Sequence, residues 1–95
     1  MSMAPQSIGS ALQQLFRQLG ITKRMRQYDV LNAWESIVGP RIAGVTSARK
    51  IVNGVLFVDV QTATWRHELA MRKPQILERI NKYAGRTVVK DIRFH

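Results

Sequence analysis

Apolar residues at Ile8, Leu12, Leu15, Phe16 and Leu19 recur at helical spacing, so the chain opens with an amphipathic helix from about Ser7 that Gly20 is placed to end. A second stripe, Val30, Leu31, Trp34, Ile37 and Val38, runs up to Gly39-Pro40, with Thr22 as the expected N-cap of its helix. Pro40 to Gly44 then reads as a tight connection with at most one helical turn. Beyond it the period changes from helix to strand. Thr46 to Val52 and Val55 to Gln61 flank Asn53-Gly54, the dipeptide that best tolerates the two positive φ angles of a type I′ hairpin turn. In the second strand Leu56, Val58 and Val60 share one face, and Val55, Phe57, Asp59 and Gln61 the other.

The strand stops at Gln61-Thr62-Ala63-Thr64, where either threonine is suited to cap a helix carrying Trp65 and Leu69 on one side. If that helix ran on unbroken, Trp65, Leu69, Ile76, Ile80 and Tyr83 would share its face and Arg72 and Lys73 would fall inside the apolar stripe. Pro74 removes this conflict, because proline breaks a helix interior but is favoured at a helix start. The pattern therefore predicts two helices, Ala63–Met71 and Pro74–Tyr83, joined by a basic turn. Gly85 ends the second, and Thr87 to Phe94 reads as a third strand with Ile92 and Phe94 facing the core. Glu68 with Arg72 and Glu78 with Lys82 have i,i+4 spacing for weak ion pairs.

The predicted order is α-α-β-β-α-α-β. A three-stranded sheet of this kind needs helices over one face, so the expected fold class is a two-layer α+β domain preceded by an N-terminal helix. One domain spans 1–95, with residues 1–6 expected to be disordered.

Composition adds charge to this picture. Fifteen Lys and Arg against six Asp and Glu give a net charge of +9, which points to a polyanionic partner, nucleic acid first and an acidic protein second. There is no cysteine, so disulfides and zinc ribbons are excluded, and the chain reads as cytoplasmic, nucleoid-associated when bound to DNA. No apolar run reaches the length of a membrane span, and the first residues lack the pattern of a secretory signal.

The candidate phosphate contacts fall into groups. Lys23, Arg24 and Arg26 sit in the first turn of the second helix, where the helix dipole is already positive; either an anion binds there or the side chains point into water. Arg72 and Lys73 form a second cluster, and Arg41, Arg49 and Lys50 are further candidates. Charge reversal at Arg72 and Lys73 is expected to weaken binding alike for all sequences. Trp34 and Trp65 lie on apolar faces and are read as core, together with the structural Leu69, Gly39, Asn53 and Gly54. Phe57 lies on the sheet face that no predicted helix covers, as a partner or base-stacking contact.

Catalysis has no support in the pattern. His67 and His95 are far apart, the carboxylates form no acid–base or metal motif, and no phosphate-binding glycine loop or Walker-type lysine is present. The expectation is a non-enzyme without metal or cofactor.

The motifs Trp34-Glu35-Ser36-Ile37-Val38-Gly39 with Ile42-Ala43 and Thr46, then Asn53-Gly54-Val55-Leu56-Phe57-Val58, then Trp65-Arg66-His67-Glu68-Leu69, and a closing Ile92-Arg93-Phe94, resemble the DciA family. That resemblance implies a KH-like domain of the second topological type, in a bacterial protein that helps load or operate the DnaB-type replicative helicase. Two departures stand out. Where a nucleic-acid-binding KH domain has its Gly-x-x-Gly loop, this chain has Met71-Arg72-Lys73-Pro74, so that phosphate clamp does not carry over. The chain also stops at His95, where some longer relatives have extensions.

The resulting expectation is a replication accessory protein that binds the helicase and, weakly and without sequence preference, single-stranded or forked DNA. The alternatives are a KH-like RNA-binding module and a pure protein–protein adaptor with an acidic partner.

Overall fold

The computed structural model describes residues 3–95, and burial is described for all of these except residues 3–7 and 16. Met1 and Ser2, part of the segment expected to be disordered, and the side chain of Phe16, part of the first apolar stripe, lie outside the described residues. In chain order the elements are α1 (Met3–Gln18), α2 (Ile21–Asn32), α3 (Trp34–Val38), α4 (Pro40–Ala43), β1 (Thr46–Val52), β2 (Val55–Val60), α5 (Ala63–Met71), α6 (Lys73–Ala84) and β3 (Asp91–Phe94). This is the predicted order, with the predicted second helix divided into α2 and α3 and the Pro40–Gly44 connection making its one helical turn as α4.

The sheet has the order β1-β2-β3, with β1 antiparallel and β3 parallel to the central β2. Its hairpin turn has the predicted geometry, with Asn53 at φ 52° and Gly54 at φ 79°. Glycine is favoured at 54 both by this φ and because a Cβ there would meet the Lys90 side chain at 3.3 Å; the Gly54 carbonyl also accepts the Lys90 N–H at 2.6 Å. Leu56, Val58 and Val60 are buried beneath the helices, while Val55, Phe57 and Asp59 on the opposite face are half-buried. The result is a two-layer α+β fold whose core joins Val30, Trp34, Ile37, Val38 and Ile42 to Leu56, Val58, Leu69, Ile76, Ile80 and Ile92.

The long second helix predicted from the apolar stripe is in fact two. Ala33, at φ −97° and ψ 10°, ends α2 and begins α3, so Val30 and Trp34 reach the core from differently directed helices. Gly20, in the left-handed conformation, is the N-cap of α2, and Thr22 lies inside the helix rather than capping it. The Trp34 indole N–H donates to Thr46 Oγ1 at 2.9 Å, and that hydroxyl donates to the Ile42 carbonyl at 2.7 Å. This relay pins α3 and α4 to the start of β1. Thr46→Val keeps the branched shape but leaves the indole N–H unpaired, and is expected to cost about 1–3 kcal/mol, read as a lower urea midpoint.

Thr62 caps α5 by accepting the Trp65 N–H at 3.1 Å. The α5–α6 break falls at Arg72, with Lys73 as the first residue of α6 and Pro74 as the second. Tyr83, placed on the apolar stripe by periodicity, is exposed in the last turn of α6, whereas Ile76 and Ile80 earlier on the same face are buried.

The third strand is shorter than the predicted Thr87 to Phe94. Val88 and Val89 are buried but lie off the sheet, held by one side chain. Asn81 Oδ1 accepts the N–H groups of Val88 and Val89 at 2.9 and 3.0 Å, and Asn81 Nδ2 donates to the Val89 carbonyl at 2.8 Å. Ile92 is buried and Phe94 packs against the core, as their alternation requires. On α1 the stripe of Ile8, Leu12, Leu15 and Leu19 stays exposed, so this helix does not cover the core.

Candidate nucleic-acid interface

Cations gather around the start of α2. A cavity of about 340 Å³ is lined by Arg17, Gly20, Thr22, Lys23, Arg26, Arg86, Thr87 and Val88. It adjoins, through Lys23, Thr87 and Val88, a second hollow that reaches Lys90 and the hairpin turn Asn53-Gly54. Past Arg17, Arg26 and Arg86 it opens toward Gln13, Met25 and Asp29. Together these form one trough bearing Arg17, Lys23, Arg26, Arg86 and Lys90.

None of those five cations is in an ion pair among the described residues. Arg17 reaches Gln13 Oε1 at 3.5 Å, and Asp29 bounds the open end. The first turn of α2 has neither an acidic residue nor a side-chain cap, so its free N–H groups add positive potential where Gly20, Thr22 and Lys23 border the trough. The Thr22 and Thr87 hydroxyls can donate to phosphate oxygens along the same line.

The other predicted cations have different surroundings. Arg24 points away from Lys23 and Arg26 into a groove of about 360 Å³ that it shares with Gln27, Tyr28, Leu31, Arg49, Lys50 and Ile51. Arg49, the extra residue at the β1 bulge, is hydrogen-bonded to Asp59. The Lys50 ammonium lies 5.1 Å from the centroid of the Phe57 ring. The Phe57 ring in turn stacks on His95 at 5.9 Å, with 5° between the planes. Phe57 is thus half-buried beside a cation and an imidazole on the helix-free face of the sheet, where Arg93 is its neighbour on β3.

The α5–α6 turn carries its charges already paired. Arg72 Nη2 lies 2.7 Å from Glu68 Oε1, and Lys73 Nζ lies 3.0 Å from Asp91 Oδ1. The Lys73 hydrogen bond, followed by that of the Ile92 N–H, holds the Asp91 carboxyl below the usual aspartate value. Arg72 and Lys73 therefore sit apart from the trough and partly neutralised. Arg41 lies with its guanidinium carbon 5.5 Å from the centroid of Trp65, which is half-buried and packed on the core. Trp34 is buried, as its apolar stripe implies, and His67 is exposed on α5.

The structure thus unites Lys23 and Arg26 with three cations that the sequence pattern did not single out, Arg17, Arg86 and Lys90. It also adds Tyr28 beside Arg24. A basic residue directly after the helix-ending Gly85 was the available cue for Arg86; no local pattern marks Lys90 as a neighbour of Lys23. Among the described residues no group of three or more His, Asp or Glu side chains is placed to hold a metal ion, and no helix is long and apolar enough to cross a membrane.

Comparison with known proteins agrees with the motifs. The family model described as "Dna[CI] antecedent, DciA" matches residues 7–94. A UPF0232 protein of Rhodococcus jostii is 30% identical over 89 residues, covering 94% of this chain and 47% of that protein. A UPF0232 protein of Mycobacterium tuberculosis is 29% identical over 89 residues, covering 94% of this chain and 48% of its own length. The chain therefore spans about half the length of these relatives. With the family model matched from the first helix to the last strand, the chain belongs to the DciA family.

Proposed function

We propose that this chain is the folded domain of a bacterial DNA replication accessory protein that binds the DnaB-type replicative helicase and assists its loading or operation. It holds DNA weakly and without sequence preference, and acts by binding rather than catalysis. Two things support this reading: family membership, and the trough of five cations that have no acidic partner among the described residues. Unpaired cations release counterions from a polyanion at no cost in broken ion pairs. On that ground Lys23, Arg26, Arg86, Arg17 and Lys90 are the main phosphate contacts, ahead of Arg24, Arg41, Arg49, Lys50, Arg72 and Lys73.

Size-exclusion chromatography with the replicative helicase of the same source, at two salt concentrations and with added single-stranded DNA, tests the partner. Co-elution is expected, and separate elution in every condition would overturn the helicase reading for this domain. For DNA, Arg26→Glu with Arg86→Glu is expected to weaken binding equally for all sequences and to reduce the slope of log K against log salt by about one for each phosphate no longer neutralised. An unchanged slope removes the trough from the reading. A preference for RNA over DNA of equal length would instead favour an RNA-binding module. Absence of nucleic-acid binding at low salt would favour an adaptor for an acidic protein.

A further inference from the structure

Neighbouring residues of α2 face two different surfaces. Thr22, Lys23, Arg26 and Asp29 border the trough, whereas Arg24, Gln27, Tyr28 and Leu31 border the groove against β1. Each set recurs at three- and four-residue intervals, so each forms a stripe along one side of the helix. The helix is the wall between them.

The two surfaces differ in chemistry. The trough offers guanidinium, ammonium and hydroxyl groups and no aromatic ring, with one carboxylate, Asp29, at its open end, a lining suited to phosphate oxygens whatever the bases are doing. The groove carries Tyr28, an aromatic that is 66% exposed, beside Arg24, Lys50 and the Asp59-paired Arg49. Lys50 then carries the cationic line onto the open sheet face, over Phe57 and its stacked neighbour His95. Rings interleaved with cations suit unpaired bases, whose faces are free to stack, whereas the bases of a duplex are already stacked on one another.

We infer that α2 separates two DNA paths, an unpaired strand running through the Tyr28 groove toward Phe57 and His95, and a base-paired segment held by its phosphates in the Arg26–Arg86 trough. This assignment rests on the DNA-binding reading above and gives it a substrate class: a junction between single and double strand. Occupying both paths at once makes the second contact intramolecular, so a forked DNA binds more tightly than either of its parts.

The test uses the whole chain and fluorescence anisotropy at low salt, with an oligothymidine, a blunt duplex and a fork that joins the two. Tyr28→Ala is expected to weaken oligothymidine binding about tenfold and leave the duplex unchanged, while Tyr28→Phe behaves as the parent. Arg26→Ala with Arg86→Ala is expected to weaken the duplex. Either change should remove the advantage of the fork. Equal losses for both ligands on Tyr28→Ala, or no loss for either, would overturn the two-path assignment while leaving DNA binding intact. Failure of the parent chain to bind any of the three DNAs would instead overturn the DNA reading, and this inference with it.

Discussion

Leu56→Ala is expected to lower the thermal midpoint by roughly 10 °C or more. Leu56 is fully buried on the central strand, between Ile51 on β1 and Ile92 on β3 by register. Truncation removes packing toward both neighbouring strands and toward the helical layer at once. The cavity cannot close by moving one strand, because both partners are hydrogen-bonded to β2. Losses of about 2–5 kcal/mol follow such changes, against a total of roughly 5–15 kcal/mol for a small domain. Val52→Ala, on the exposed end of β1, serves as the comparison and is expected to change little. Thermal unfolding followed by circular dichroism distinguishes the two, and similar midpoints would show that the sheet interior tolerates a void.

Asn81→Ala is expected to cost about 2–4 kcal/mol, a large effect for a polar side chain whose role is to hold backbone. Its amide makes three hydrogen bonds to the backbone of Val88 and Val89, which sit buried away from the sheet ladder. Without it, two N–H groups and one carbonyl lose their partners in an apolar setting. Asn81→Asp retains the acceptor for both N–H groups and loses the donor to the carbonyl, so it should recover part of the loss. Urea denaturation of the three proteins checks the order parent, Asp, Ala. If Ala equals the parent, burial of the two valines and the Lys90–Gly54 hydrogen bond suffice to hold the 86–90 segment.

That segment also marks where local sequence pattern stops being informative. The hairpin, α5 and the α6 stripe were legible because their causes are local: a turn dipeptide, a capping threonine, a proline near a helix start. Val88-Val89 carries the β-branched pattern of a strand, but its hydrogen bonds go to a side chain on α6, and no pattern within the segment reveals that. Likewise Val30 to Val38 reads as one stripe because Ala33 breaks the helix without any glycine or proline to mark the place. The candidate interface was legible as charge and much less as place. Whether a cation is free depends on distant partners: Lys73 finds Asp91 and Arg49 finds Asp59 across the fold, whereas Arg26 and Arg86 line one cavity with no acid paired to either among the described residues.

The parallel pairing of β3 on β2 governs how the domain comes together in time. The β1–β2 hairpin is local and closes on the microsecond scale, about 1–10 μs for hairpins in general. A parallel neighbour cannot follow by a tight turn and must wait for the whole α5–α6 crossover. During synthesis the central strand is therefore one-sided until residue 94 has emerged, with Leu56 and Val58 short of their β3 partners. A nascent chain that already holds its hairpin exposes an open strand edge for that interval, a window in which pairing with another chain competes with self-completion.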